Sequence, residues 1–140
     1  MYQHQHSLRV RYAETDQMGF VYHGHYITFH EVARVEAMRD LGCDYAALEK
    51  SGVLMPVLSL QAKFVRPAYF DDWLTIHTTV PQLPTARMEF RYEIFGDEGE
   101  KKHEGSTLLA FLDKNTLRPC RAPKELIDAL KPHFKQLDKT

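Results

Sequence analysis

The chain of 140 residues has few of the devices that staple or target small proteins. It holds two cysteines, Cys43 and Cys120, far apart and at no metal-binding or redox spacing, which excludes a disulfide scaffold and a zinc ribbon. No segment approaches the roughly twenty consecutive apolar residues needed to cross a bilayer. The opening "MYQHQHSLRVR" has no apolar stretch of the kind a secretory signal carries. Eighteen basic and nineteen acidic side chains leave a formal net charge of −1. A balance that even excludes bulk attraction to nucleic acid or to an anionic membrane. Internal repeats, low-complexity tracts and Gly/Ser linkers are also missing. Together these absences predict a single domain over residues 1–140, reduced and cytoplasmic, with no membrane insertion and no nucleic-acid partner.

What is present is a globular composition. Apolar residues make up 44% of the chain, with eight Phe and seven Tyr, enough to bury a core. "HSLRVRYAE" alternates, with Leu8, Val10 and Tyr12 on one face and Arg9 and Arg11 on the other, which reads as a half-buried strand. "TDQMG" ends it as a turn. From Tyr26 to Leu41 there is neither Gly nor Pro, and Phe29, Val32, Ala33, Glu36 and Ala37 fall on adjoining positions of one helical face. The small Ala33 and Ala37 would let that helix lie close against a sheet. Gly42 is a plausible C-cap, and "DYAALEKSG" a short helical turn closed by Gly52.

Four strand-like runs follow: "PVLSLQAKFV", "WLTIHTTV", "ARMEFRYEIF" and "EGSTLLAFLD". In the second, Leu74, Ile76, Thr78 and Val80 share a face; in the third, Met88, Phe90, Tyr92 and Ile94 do. "PKELIDALKPHFKQL" reads as a helix broken at Pro132. Strands joined without intervening helices pair antiparallel, with the long helix across one face. The expected class is α+β. One helix cannot cover both faces of five strands, so the uncovered surface predicts a homo-oligomer.

The stretch "AETDQMGFVYHGHYITFHEVAR", residues 13–34, concentrates the chemistry. Asp16 three residues before Gly19 is a common turn arrangement, its carboxylate bonding to nearby backbone amides. Tyr12 near the strand end and His23 just before the helix start suggest a second use for it. A helix beginning near His23 and Gly24 presents unpaired N–H groups and a positive dipole end, able to hold an oxyanion. Gly24, without a Cβ, lets a ligand approach the backbone. A carboxylate beside a carbonyl held there could attack it or activate water. That combination fits acyl transfer, best from a thiolate, which leaves without a strong general acid. His23, His25 and His30 with Glu31 lack the spacing of a helical zinc motif, so no metal is expected. Glu31 and Arg34 read as an intrahelical ion pair.

"RYAETDQMGFVYHGHYITFHEVARVEAMRDLG" resembles the motif of the 4-hydroxybenzoyl-CoA thioesterase family, and within it the Tol–Pal-associated acyl-CoA thioesterases. The matching positions include Tyr12, Asp16, Gly19, His23, Tyr26 and Arg34. "DYAALEKSGVLMPV", "RPAYFDD" and "RPCRAP" agree as well, so the likeness covers nearly the whole chain. It implies a hotdog fold, a curved five-stranded antiparallel sheet wrapped around one long helix, with a C-terminal helix. It also implies dimers or dimers of dimers (a homotetramer) with active sites between subunits, and hydrolysis of an acyl-CoA to a free acid and CoA. No cofactor is implied, coenzyme A being part of the substrate. The resemblance makes Asp16 the nucleophile or general base, with Tyr12 and His23 assisting and the amides at His23 and Gly24 forming the oxyanion hole.

CoA phosphates call for basic groups at a pocket mouth, for which Arg66, Arg118 and Arg121 are candidates. Ser59 and Gln61, mid-strand, are candidates for the pantetheine channel. The alternatives are an acyl-CoA-binding module on the same fold, a hotdog dehydratase using His23 and Asp16 as an acid/base pair, or a structural partner in an envelope-associated complex.

Overall fold

The computed structural model describes residues 1–134. Its frame is a five-stranded antiparallel sheet in the order β1–β4–β5–β6–β3. The strands are β1 (Tyr2–Arg9), β3 (Val57–Phe64), β4 (Trp73–Val80), β5 (Arg87–Phe95) and β6 (Lys101–Ala110). A two-stranded ribbon joins β2 (Val53–Leu54) to β7 (Leu112–Asp113). The helices are α1 (His25–Asp40), α2 (Tyr45–Lys50) and α3 (Lys124–Leu130). This is the expected α+β class and the hotdog arrangement, one long helix held by a curved antiparallel sheet.

The alternation read from the sequence decides which face is core. Leu74, Ile76, Thr78 and Val80 of β4 and Met88, Phe90, Tyr92 and Ile94 of β5 are all buried. Against them lies α1, which buries Tyr26, Phe29, His30, Ala33, Arg34, Ala37 and Met38. Ala33 and Ala37 have no exposed surface, so small side chains do let the helix approach the sheet. The C-terminal end of α1 is tied to β1: the Tyr2 hydroxyl reaches the Ala37 carbonyl at 3.1 Å and donates to Asp40 Oδ2 at 2.7 Å. Gly42 then turns the chain at φ 75°, a value that favours glycine. Asp44 caps α2 by accepting from the Ala47 amide.

Several expectations shift. β1 starts at Tyr2 and ends at Arg9, because Tyr12–Glu14 form a single 3₁₀ turn in which the Arg11 amide donates to the Glu14 carboxylate. Leu8 and Val10 face the core as read, but Tyr12 leaves the strand pattern and is 76% exposed. The fifth run splits into β6 and β7 at Phe111. Arg34 does not pair with Glu31. It turns inward, donating to the Tyr45 and Tyr92 hydroxyls at 3.0 and 3.2 Å, while Glu31 stays exposed. The last helix ends at Leu130 and a 3₁₀ turn spans Lys131–His133; residues 135–137 of the expected helix lie outside the described residues. Cys43 is buried, its thiol directed at the Glu125 carbonyl, and Cys120 is half-buried.

Candidate active site

The turn after β1 is built by Asp16. Its Oδ1 accepts from the Met18 amide at 2.9 Å, and its carbonyl accepts from the Gly19 amide at 2.9 Å. Gly19 sits at φ 85°, where a Cβ would strain the backbone. The turn closes on itself through the Thr15–Val21 bridge and is pinned to the loop before β4 by a Phe20–Tyr69 bridge. The turn reading of Asp16 is therefore correct as far as Oδ1 goes. Oδ2 makes no hydrogen bond among the described residues.

The same carboxylate lines a cleft of about 320 Å³. Met18, Phe20, Val21, Tyr26, Phe64 and Pro67 supply its apolar walls, and Asp16, His23 and Arg66 its polar groups. Phe64, at the end of the edge strand β3, brings its ring within 6.3 Å of the His23 ring. Arg66 follows two residues later and is held at the rim by its Nη1, which donates to the Lys101 carbonyl at 3.1 Å.

At the helix start the donors divide. The His25 and Tyr26 amides are spent on the Tyr22 and His23 carbonyls at 3.0 and 3.2 Å. The His23 and Gly24 amides make no backbone hydrogen bond among the described residues, and no side chain caps the helix. Gly24 has ordinary helical angles, φ −63° and ψ −25°, so its conformation does not need glycine. A Cβ there would come 2.9 Å from the ring of the exposed Tyr22, which would have to shift. Unspent donors at a helix N-terminus can hold the oxygen of a carbonyl while that carbonyl is attacked, and His23 shares its cleft with the Asp16 carboxylate.

Three of the residues singled out in the sequence, Asp16, His23 and Arg66, thus meet at one cleft; Gly24 follows His23 in the chain but does not line it. The others stand apart within one chain. Tyr12 packs edge-on against Phe70 at 5.7 Å, outside the cleft. Ser59 and Gln61 lie on β3, and Gln61 lines a shallow depression of about 590 Å³ on the outer face of the sheet. The charges there are paired with each other, Arg91 with Glu89 and Lys101 with Glu93 and Glu104. Arg118 and Arg121 are exposed beyond β7, where the Asp113 amide bonds to the Arg118 carbonyl. That is at the Val57 end of β3, opposite the Phe64 end where the cleft opens.

Two buried polar residues stand behind the cleft: His30, which the sequence left as a packing or surface residue, and His103, which it did not single out. His30 and His103 have no exposed surface, and their Nε2 atoms are 2.9 Å apart. Burial pushes His30 down to about 3, with His103 and then Arg34 adding to the effect. Burial likewise pushes His103 down to about 4, against a small opposing pull from Glu104. Both rings are neutral at pH 7. Tyr26, stacked on His103, is pushed up to about 12, mainly by burial. No three His, Cys, Asp or Glu side chains among the described residues converge as a metal site needs.

Comparison with known proteins decides the family. Residues 18–103 match the model of the Thioesterase superfamily. The chain belongs to that superfamily. The Escherichia coli acyl-CoA thioester hydrolase YbgC is 30% identical over 124 residues, 89% of this chain and 92% of that protein. YneP of Bacillus subtilis, provisionally named an acyl-CoA thioesterase, is 33% identical over 86% of this chain and 88% of its own. Among solved structures, a DHNA-CoA thioesterase from Staphylococcus aureus superposes with a TM-score of 0.91 at 32% identity, covering 100% of this chain and 97% of that one. Family and fold are thus those of a thioester hydrolase.

Proposed function

We propose that this protein is an acyl-CoA thioesterase that cleaves a CoA thioester to a free carboxylic acid and CoA. The observation that carries the proposal is one apolar cleft lined both by Asp16, whose Oδ2 is free among the described residues, and by His23, whose amide is unspent just before the start of α1. In this reading the thioester carbonyl oxygen is held by the His23 and Gly24 amides. Asp16 Oδ2 attacks the carbonyl carbon or takes a proton from the water that does. The CoA thiolate then departs as the tetrahedral centre collapses, and Arg66 at the rim holds a phosphate of the departing CoA. Where water attacks, the free acid forms directly; where Asp16 attacks, water then hydrolyses the mixed anhydride on Asp16, releasing the acid and restoring the carboxylate. Membership of the 4-hydroxybenzoyl-CoA, Tol–Pal-associated branch and work in the cytoplasm without cofactor or metal belong to the same proposal.

The working unit is a homo-oligomer, a dimer at least and a tetramer in the fullest form. All eight residues of β3 are exposed, and the strand lies at the sheet edge with a free row of backbone groups. Leu58, Leu60 and Phe64 stand uncovered on it. Antiparallel pairing of two β3 strands places the Val57 end of one against the Phe64 end of the other. That would carry Ser59 of the partner subunit, the partner's Arg118 and the partner's Arg121 toward this chain's cleft. Distances within one chain leave those groups with no route to it.

The test is thiol release from acyl-CoAs by wild type and Asp16→Asn side by side. The Asn side chain keeps an oxygen for the Met18 amide, so the turn survives. Catalysis should fall by about two orders of magnitude or more in kcat, the scale of a lost base or nucleophile. Undiminished turnover in the folded variant would remove Asp16 from the chemistry. Retained acyl-CoA binding with no turnover in wild type would make the protein a binding module instead.

A further inference from the structure

Behind the cleft, aromatic rings follow one another into the core. Phe64, half exposed at the cleft wall, meets Tyr26 edge-on at 5.3 Å and His103 at 5.1 Å. Tyr26, only 3% exposed, lies flat on His103 at 4.4 Å and 15°. His103 is joined to His30 through their Nε2 atoms, and His30 lies flat on Tyr92 at 4.4 Å and 8°. The sheet makes room for this column at Gly105, where a Cβ would come within 2.5 Å of His30 Cε1 and 2.8 Å of the Gln61 carbonyl. No member has slack: each ring is filled in by the next.

We propose that the Tyr26–His103–His30 column is the end-stop of the acyl site, so that the cleft takes short or compact planar acyl groups and turns away long alkyl chains. The proposal rests on the thioesterase reading and adds to it the class of substrate. Three observations carry it. Within one chain the cleft measures about 320 Å³, at the small end of ligand sites, which span roughly 300–1,000 Å³. Tyr26 lines it, and His103 and His30 directly behind Tyr26 have no exposed surface. The wall is also polar at its back. One proton bridges the two Nε2 atoms, so the donor ring leaves its Nδ1 a bare acceptor and the other ring carries its hydrogen on Nδ1. Neither Nδ1 has a partner among the described residues. A methylene chain pushed past Tyr26 would cover these polar edges rather than replace apolar contact. A flat acyl group, by contrast, finds ring faces at Phe64 and Tyr26.

The experiment is kcat/KM by thiol release over acetyl-, butyryl-, benzoyl-, octanoyl- and dodecanoyl-CoA, for wild type, Tyr26→Phe and Tyr26→Ala. Wild type should lose at least about tenfold from butyryl- or benzoyl- to dodecanoyl-CoA, the discrimination that a pocket wall gives for a few methylenes. Tyr26→Phe keeps the ring and should keep the profile. Tyr26→Ala removes it and should raise the dodecanoyl-to-butyryl ratio at least about tenfold; if that variant does not fold, His103→Ala removes the next ring and is read the same way. Turnover that is flat across the panel, or highest for dodecanoyl-CoA, overturns the end-stop and leaves the thioesterase standing. No turnover of any ester overturns the hydrolytic reading. The panel is then read as dissociation constants, and a dodecanoyl preference unchanged by Tyr26→Ala would overturn the stop as well.

Discussion

Asp16 could serve both a turn and the proposed chemistry, because a carboxylate has two oxygens. Oδ1 builds the turn, and Oδ2 makes no hydrogen bond among the described residues. The sequence showed both uses, since a turn signal and a helix start stood a few residues apart. It did not show His103, and it left His30 open as a packing or a surface residue. His30 lies one turn beyond Tyr26 on the buried face of α1. Nothing in periodicity could say that His103, seventy-three residues later, would meet it. This pair predicts an acid response with a definite sign. Both rings are neutral in the fold, at about 3 and about 4 against 6.5 in an unfolded chain. Between pH 6.5 and 4 the unfolded chain binds protons the native one refuses, so stability falls as pH falls through that window and is flat above it. The charged neighbours are Arg34 beside His30 and Glu104 beside His103; Arg34 strengthens the effect and Glu104 weakens it. Urea midpoints at pH 7.5, 5.5 and 4.5 should drop progressively, with a shallower drop in His103→Gln. A second residue-scale expectation concerns Gly105. Adding a Cβ there forces His30 or the sheet to move, and Gly105→Ala should lose about 1–3 kcal/mol in denaturant unfolding, the usual cost of overpacking.

At the scale of elements, the alternating strands were legible and the edge was not. "PVLSLQAKFV" has the composition of a strand, but whether a strand sits inside a sheet or at its rim depends on partners hundreds of atoms away. β3 is the rim, and Leu58 and Leu60 stand exposed on it. The two-residue β2–β7 ribbon was equally hidden, being too short to carry a period. Tyr12 failed for a related reason: alternation placed it on the strand, while the Glu14 carboxylate captured the Arg11 amide and wound the chain into a turn first. If β3 is where two copies join, Leu58→Lys with Leu60→Lys should shift sedimentation to monomer and abolish thiol release together. A monomer that keeps full activity would show the cleft to be complete in one chain.

At the scale of the whole molecule, the order strand, helix, four strands and the single buried helix were both readable, since they follow from spacing and from the absence of helices between later strands. What ties the parts together was not readable. Arg34 links α1 to Tyr45 of α2 and Tyr92 of β5, and Tyr2 links β1 to the far end of α1. These are contacts across the fold between side chains that read locally as surface charge or strand face. A chain that leaves an apolar strand edge open should also be stabilised by its own copies. Its melting temperature is therefore expected to rise with protein concentration, by mass action, in differential scanning calorimetry across a hundredfold range; the Leu58→Lys, Leu60→Lys variant should lose that dependence.

The two cysteines bear on how any of these rates is measured. Cys43 is shut away with its thiol turned to the Glu125 carbonyl, whereas Cys120 is half-buried. A colorimetric thiol reagent meets at most one protein sulfur per native subunit. An early release of a single equivalent would then come from Cys120 and imitate the burst of an acyl-enzyme intermediate. Cys120→Ser removes the imitation, and any burst that survives in it reports chemistry at Asp16.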